Sequence, residues 1–424
     1  MTDQIERSSA KLWNRDFSTL WWSEAVSFFG SQLTLFAIPI VALQILDSSA
    51  SEVAWINTAA GLGTVVFLGL LGPWTDKVRR TRFMSVMSGL RALVLSAMAV
   101  LFLMGSLSLL ALVIAAFLVS GLTGLYDSAF AALLPSVAHR SKLTTANTWV
   151  AGIRSAGDIG AGATAGILLQ LLSPVALFIS DALTYLVSAL AVGRIREERQ
   201  APPETFTFRG YFLSLGSGFA ILVRDRVMRP VTLSIAHFNL FTAAIQSVYV
   251  THALRTGSMT PAEVGIAGAV GGIIGLLSMM AAPWVWDRFR PVRALMATFM
   301  LPALAGLGML LLTPGQVVSN VLLLGLSLGF WASCVMVNIT GTETLKQLLI
   351  PHEALGRFSS ASRVLTWGID PIGAALAGVL ALFLPTGAVL AAASSGVVIS
   401  ACWIAASRAV RELPLLSEIG KGSD

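Results

Sequence analysis

Long apolar runs constrain this chain more than any other feature of its sequence. Each run holds about 20 or more mostly apolar residues, the length that an α-helix needs to cross a bilayer. We expect twelve membrane helices, helix 1 to helix 12 in chain order. Their approximate spans are 17–45, 52–72, 83–104, 107–135, 144–171, 174–193, 229–251, 262–285, 292–313, 316–347, 356–384 and 386–407. The sequence therefore predicts an all-α membrane protein, with Pro39, Pro302 and Pro371 among the candidate kink sites.

The composition disfavours the main soluble classes. Charged residues make up 12% of the chain and apolar residues 55%, whereas soluble domains carry about 25% charged residues. So few charges could not cover the surface of a soluble enzyme, a disordered protein or a repeat scaffold. The four histidines are scattered, and no HExxH motif or Walker loop occurs. We therefore expect no enzyme, no cofactor, no metal site and no use of ATP.

The basic residues predict the orientation of the chain. Twenty-five Lys and Arg residues fall in the N-terminal segment and the loops of one side, and only Arg255 falls in the opposite loops. Loops rich in Lys and Arg remain on the cytoplasmic side, so both termini are predicted to be cytoplasmic. Because the net charge of +6 is spread over short clusters between apolar runs, it does not indicate a nucleic-acid partner.

A charged linker divides the chain into similar halves. Residues 1–193 are the predicted N-terminal six-helix bundle, and residues 194–228 a cytoplasmic linker with an amphipathic helix. Residues 229–424 form a second bundle with a short cytoplasmic tail. DIGAGATAG, beginning at Asp158, is echoed by DPIGAALAG, beginning at Asp370, a step of 212 residues. A parallel repeat of six helices is a transporter architecture, with a midplane site between the halves.

The segment GPWTDKVRRTR at 72–82 resembles the loop 2–3 signature of the major facilitator superfamily, G-x-x-x-D-[RK]-x-G-[RK]-[RK]. The matching residues are Gly72, Asp76, Lys77 and Arg80. Arg79 stands where the family usually has glycine. A weaker copy in loop 8–9 contains Asp287 and Arg288. The resemblance implies the major facilitator fold, with two pseudo-symmetric six-helix bundles, and a gating role for these loop residues.

Five further segments are similar to one bacterial branch of that family, the enterobactin-exporter and macrolide-efflux type. They are NRDF at 14–17, SFFG at 27–30, ALLP at 132–135, LTTAN at 143–147 and DALTY at 181–185. The resemblance implies secondary active export of a bulky amphipathic drug, antibiotic or siderophore-like metabolite across the bacterial cytoplasmic membrane, through rocker-switch proton antiport by a monomer. The alternative is an importer or lipid translocator. Helix 5 departs from the drug/proton antiporters because it lacks their G-x-x-x-G-P motif.

Two aspartates in the apolar interior are the first candidates for a proton or substrate site. Asp158 and Asp370 lie near the middle of helices 5 and 11 at corresponding positions of the repeat. Charges there are costly, so they indicate function. A carboxyl in such surroundings could exchange protons near neutral pH, or recognise a cationic substrate. The alternative is that Asp158 only pairs with Arg154, one turn earlier.

Other ionisable residues inside the helices have structural alternatives. Arg91 and Asp127 lie at similar depths in helices 3 and 4, where they could form a structural or gating salt bridge. Asp181 in helix 6 suits a packing role as well as a site role. Glu24 follows Trp21 and Trp22 near the cytoplasmic end of helix 1, which is typical of an interfacial residue, and we include it in the candidate pathway.

The tryptophans form two groups. Trp149 and Trp367 lie inside helices 5 and 11, in the region of the two repeat aspartates, and could wall an aromatic pocket for a bulky substrate; packing is the alternative. Six other tryptophans lie near the predicted cytoplasmic ends of helices, where tryptophan is typical of the membrane interface. They are Trp13, Trp21, Trp22, Trp74, Trp284 and Trp286.

The repeat aspartates give the first testable prediction. We expect Asp158→Asn and Asp370→Asn each to abolish proton-coupled flux, because neither amide can carry a proton through the cycle. Flux is measured in vesicles in which membrane insertion of each variant has been verified. Normal coupled transport by both variants would contradict the assignment.

Overall fold

The computed structural model describes residues 13–71, 78–138, 173–195 and 208–419, together with 145–146, 149–150, 152–154 and 157. These residues contain eleven helices that are long and apolar enough to cross a membrane. Their bounds are Arg15–Gln44, Ala50–Leu71, Arg80–Leu103, Leu109–Val137, Val175–Val192, Met228–Arg255, Pro261–Arg288, Pro291–Leu311, Val317–Leu349, Glu353–Leu380 and Thr386–Ala406. They correspond to predicted helices 1–4 and 6–12. Most of predicted helix 5 lies outside the described residues, and its described residues are helical.

Proline marks two of the helix breaks. Helix 9 consists of Pro291–Met300 and a second segment that begins at Pro302. Helix 11 consists of His352–Trp367 and Asp370–Leu380, with Pro371 in the first turn of its second segment. Proline lacks the backbone N–H that continues a helix, but it fits a first turn. These two predicted kink sites are confirmed, whereas Pro39 lies within an uninterrupted helix 1.

The turn that precedes helix 2 is repeated before helix 8. Asp47 and Ser258, 211 residues apart, both have positive φ, of 48° and 51°. Two residues later, Ser49 and Thr260 each form a reciprocal cap with the glutamate three positions on, Glu52 and Glu263. Such capping boxes satisfy backbone donors at a helix start. The internal repeat therefore extends to the backbone conformation of these turns.

The described residues cluster into two compact units. The N-terminal unit lies within Met1–Val41 and Ala59–Phe206, and the C-terminal unit within Ala42–Thr58 and Thr207–Asp424. The linker helix Phe208–Arg224 belongs to the C-terminal unit, where it packs against His352–Trp367.

The N-terminal unit has an apolar core near the start of helix 1 and the end of helix 4. Phe17 and Leu20 pack there with side chains that include Leu133 and Val137. Asn14 ties this region together, because its amide donates to the Val137 carbonyl at 2.9 Å and its side-chain oxygen accepts from the Phe17 N–H at 2.7 Å. The NRDF segment thus caps helix 1 and holds the end of helix 4.

Helices 8 and 10 of the C-terminal unit approach closely through glycine. A Cβ added to Gly271 would lie 2.7 Å from the Leu328 Cβ, and one added to Gly275 would lie 2.7 Å from the Ala332 Cβ. By contrast, a Cβ added to Gly268, on the same helix, would meet nothing within 4 Å. Small residues allow this kind of contact between membrane helices.

We expect Gly271→Ala to lower the free energy of unfolding by about 1–3 kcal/mol, because the added methyl overpacks the contact with helix 10. Gly268→Ala is the matched control. It should be neutral, or stabilise the chain by up to about 1 kcal/mol through helix propensity. Thermal unfolding of the purified proteins in detergent measures both effects. Equal stability of the two variants would contradict the close approach of helices 8 and 10.

Candidate functional site

Three charged side chains of the N-terminal unit meet around Arg154. Its Nη2 lies 3.1 Å from Asp127 Oδ1 and 3.5 Å from Glu24 Oε1. Glu24 is buried, at 2% exposure, whereas Arg154 and Asp127 are partly exposed. We call Glu24, Asp127 and Arg154 the charge cluster. In it, two carboxylates share one guanidinium.

Helix geometry brings the two acids to similar depths. Glu24 lies nine residues after the start of helix 1, and Asp127 lies ten residues before the end of helix 4. At a rise of 1.5 Å per residue, both are about 14 Å from those ends. Helices 1 and 4 cross in opposite directions, so these ends lie on the same side. The structure therefore corrects the interfacial interpretation of Glu24, which is a buried member of an ion-pair cluster.

Arg91 lies between two tyrosine rings. Its Cζ is 4.4 Å from the ring centre of Tyr126 and 4.2 Å from that of Tyr185. Its Nη2 donates to the Ser88 hydroxyl at 2.9 Å, and the whole side chain is buried. A guanidinium against an aromatic face is stabilised by the ring quadrupole.

The predicted pairing of Arg91 with Asp127 is wrong, because Asp127 binds Arg154 instead. Successive residues of a helix point about 100° apart. Helix 4 therefore presents Tyr126 to Arg91 and the next residue, Asp127, to helix 5. The two arginines take different partners from adjacent positions on one helix.

Asp181 is a second buried acid of the N-terminal unit, at 1% exposure. Its Oδ1 accepts a hydrogen bond from the Thr184 hydroxyl at 3.1 Å, and its Oδ2 has no hydrogen-bond partner among the described residues. Gly30 of helix 1 faces this carboxyl. A Cβ there would lie 2.6 Å from Asp181 Oδ1 and would also overlap Thr184, so glycine lets helix 1 approach the acid.

A cavity of about 630 Å³ opens beside Asp181, and its described lining residues all belong to the N-terminal unit. The aromatic residues among them are Trp21, Trp22, Phe29 and Trp149. The other described lining residues are Ala25, Val26, Gly30, Leu33, Gly152, Ile153, Gly157, Ser180, Asp181 and Thr184. Small-molecule sites are typically about 300–1,000 Å³ and mostly apolar with a few polar groups, so this cavity could hold a bulky organic molecule.

Two indole rings are fixed against each other in the cavity wall. Trp21 Nε1 donates to the Trp149 carbonyl at 3.2 Å, and the two rings meet edge to face at 6.0 Å. Trp13 contacts both of them. Trp149 therefore lies among aromatic side chains that line the cavity.

The candidates of the C-terminal unit are not brought into such a cluster. Asp370 begins the second segment of helix 11 and is half-buried. Among the described contacts it has no ion pair. Trp367 is 59% exposed, with Arg363 Cζ 5.9 Å from its ring centre.

The predicted gating residues are only partly described. Asp287 and Arg288 are exposed at the end of helix 8, and Arg80 is the first residue of helix 3. The other candidates lie outside the described residues. They are Gly72, Asp76 and Lys77 of the loop 2–3 signature and Asp158 of helix 5.

The buried charges of the N-terminal unit do not balance. The described interior of its helices holds three acids, Glu24, Asp127 and Asp181, and two arginines, Arg91 and Arg154. The repeat places the corresponding positions of the second half 210–212 residues later in the chain. For none of the five residues does a charged residue lie there. These five charges are therefore not repeated in the C-terminal half.

Sequence reasoning missed the two tyrosines around Arg91. The chain has four tyrosines. One of them precedes Asp127, and another lies one helical turn after Asp181. The closeness of these tyrosines in the sequence to acids inside the membrane helices could have identified them as candidates.

Residues 20–369 match the Major Facilitator Superfamily. This is most of the chain, so the protein belongs to that family. Comparison with curated proteins gives no match.

Solved transporters share the fold. A bacterial homologue of the iron transporter ferroportin, in its inward-facing state, has a TM-score of 0.74 at 19% identity, over 92% of this chain and 98% of that one. A variant of the nucleoside transporter NupG has a TM-score of 0.77 at 13% identity, over 93% and 100%. A bacterial homologue of the human lysosomal transporter Spinster has a TM-score of 0.63 at 12% identity, over 96% and 97%.

The chain is therefore a multi-pass membrane transporter with the all-α major facilitator fold. Its family and the solved neighbours indicate a transporter rather than an enzyme.

Proposed function

We propose that the protein exports a bulky, amphipathic small molecule across the bacterial cytoplasmic membrane in exchange for protons, by rocker-switch alternating access. The observation that carries the proposal is the charge cluster, in which buried Glu24 and partly exposed Asp127 share Arg154. Ionisable groups inside membrane helices are characteristic of proton relays and substrate pathways.

The charge count favours a proton as the coupling ion. With both carboxyls ionised, the charge cluster carries one excess negative charge. One added proton removes that charge and leaves the other carboxylate to pair with Arg154. An unpaired charge inside a membrane protein is costly. Because Arg154 keeps a carboxylate partner in both protonation states, the cluster can take up and release a proton without leaving Arg154 unpaired.

The cavity supports a bulky substrate. Its volume of about 630 Å³ and its aromatic walls suit a drug, antibiotic or siderophore-like metabolite better than a small ion. The direction of transport rests on the resemblance to the bacterial export branch. The location in the cytoplasmic membrane, with cytoplasmic termini, rests on that branch and on the Lys and Arg asymmetry. An importer or lipid translocator of the same fold is the alternative.

The test uses inside-out vesicles with an acid interior and a pH-sensitive dye. Macrolides, tetracyclines, cationic dyes and siderophores are added in turn. An antiporter releases protons from the interior when it takes up its substrate. We expect at least one compound to give this signal with the unaltered protein. No response to a broad panel, with insertion verified, would favour a narrow endogenous metabolite, lipid translocation or uptake.

With a responding compound, we expect Glu24→Gln to reduce proton release at least about tenfold, because the amide cannot carry the coupling proton. Glu263→Gln is the matched control, since glutamine also serves in a capping box, and it should release protons normally. Normal proton release by Glu24→Gln would overturn the role of the charge cluster.

A further inference from the structure

The described lining of the cavity in the N-terminal unit contains a single charged group. Among these lining residues Asp181 is the only ionisable side chain, and none is basic. The other polar side chains already donate their hydrogens. Ser180 donates to the Leu177 carbonyl at 3.0 Å, and Thr184 donates to Asp181. The cavity thus offers a ligand one carboxylate and otherwise aromatic and aliphatic surface.

Asp181 can accept a further interaction. Its Oδ2 is buried and makes no hydrogen bond within 3.5 Å among the described residues, and Thr34 is the other side chain that interacts with this carboxyl besides Thr184. An unpartnered buried acceptor costs free energy, and a buried charge costs more. A ligand that brings a positive charge or a donor to this oxygen removes that cost.

These surroundings discriminate between ligand classes. Among the described lining residues, an anion would meet only the like charge of Asp181, and a neutral hydrocarbon would leave Oδ2 unpartnered. A polyol could donate to Oδ2, but its other oxygens would find no free hydroxyl donor among the described lining side chains. A cation satisfies the carboxylate and is also attracted by the faces of aromatic rings. Because the described lining holds one acid, one positive charge is the matched value.

The cavity also limits the shape of the ligand. Gly30, beside Asp181, and Trp22, at the aromatic end, are eight residues apart on helix 1, or about 12 Å. A ligand that fills this length needs an extended or bulky apolar body.

We propose that this cavity is a binding site for organic monocations with a bulky aromatic or aliphatic body. The positive charge lies at Asp181, and the body lies against Trp21, Phe29 and Trp149. The site is contained in the N-terminal unit, unlike the midplane site between halves that the repeat predicts. That the bound cation is the exported substrate rests on the proposed function, whereas the binding itself does not.

The test compares two ions of the same shape and opposite charge. Tetraphenylphosphonium and tetraphenylborate are titrated separately into the purified full chain in detergent, and binding is measured by calorimetry with protein-free detergent as the blank. We expect saturable binding of the cation and at least about tenfold weaker binding of the anion. Equal binding of both ions would overturn the proposal, because it would show an apolar site without charge selection.

Variants locate the site. We expect Asp181→Asn to weaken binding of tetraphenylphosphonium at least about tenfold and Trp149→Ala about threefold or more, with Glu263→Gln, a capping residue that does not line the cavity, as the matched control at the wild-type value. Unchanged binding by Asp181→Asn would overturn the proposal, and so would an equal loss of binding by Glu263→Gln.

A second variant tests the site independently of whether Asp181→Asn folds. A Cβ at Gly152 meets nothing within 4 Å and Gly152 lines the cavity, so Gly152→Leu should fold and occlude the site. Unchanged cation binding by this folded variant would also contradict the proposal. If the cation binds but no compound causes proton release, the proposed function is contradicted and this inference stands. If a compound causes proton release but the cation does not bind, this inference is contradicted and the proposed function stands.

Discussion

The sharing of Arg154 by Glu24 and Asp127 is the interaction on which the N-terminal unit depends. A charge in the interior of a membrane protein is costly unless it is paired. One guanidinium at 3.1 and 3.5 Å from two carboxylates provides that pairing across helices 1, 4 and 5. With both carboxyls ionised it also leaves one negative charge unmatched, which the proposed coupling proton would neutralise.

Arg91 and Asp181 place further polar groups around this cluster. Arg91 is fixed between Tyr126 and Tyr185, and the Tyr185 hydroxyl lies 2.8 Å from the Ser31 hydroxyl of helix 1. Helix 1 thus carries Glu24 toward the charge cluster, Ser31 toward the tyrosines and Gly30 toward Asp181. A movement of helix 1 would change the geometry of the proposed proton site and of the cavity at the same time.

The sequence predicted the helices well because apolar length and proline positions are local properties. The breaks at Pro302 and Pro371 could be predicted without knowing which helices pack against these segments. The partners of charged residues could not be foreseen, since they depend on the rotation of each helix about its axis, and so Arg91 was matched with the wrong acid. Trp286 shows the same limit: predicted to be interfacial, it is buried and donates to the Val337 carbonyl at 2.8 Å.

The central claim, that the charge cluster binds the coupling proton, can be tested by infrared difference spectroscopy of the purified chain between mildly acid and mildly alkaline pH. A protonated carboxyl has a C=O stretching band that its ionised form lacks. We predict that such a band is lost on alkalinisation of the unaltered protein and that Glu24→Gln removes one component of it, while Glu263→Gln leaves the band unchanged. An unchanged band in the Glu24→Gln spectrum would contradict the assignment of the proton to this cluster.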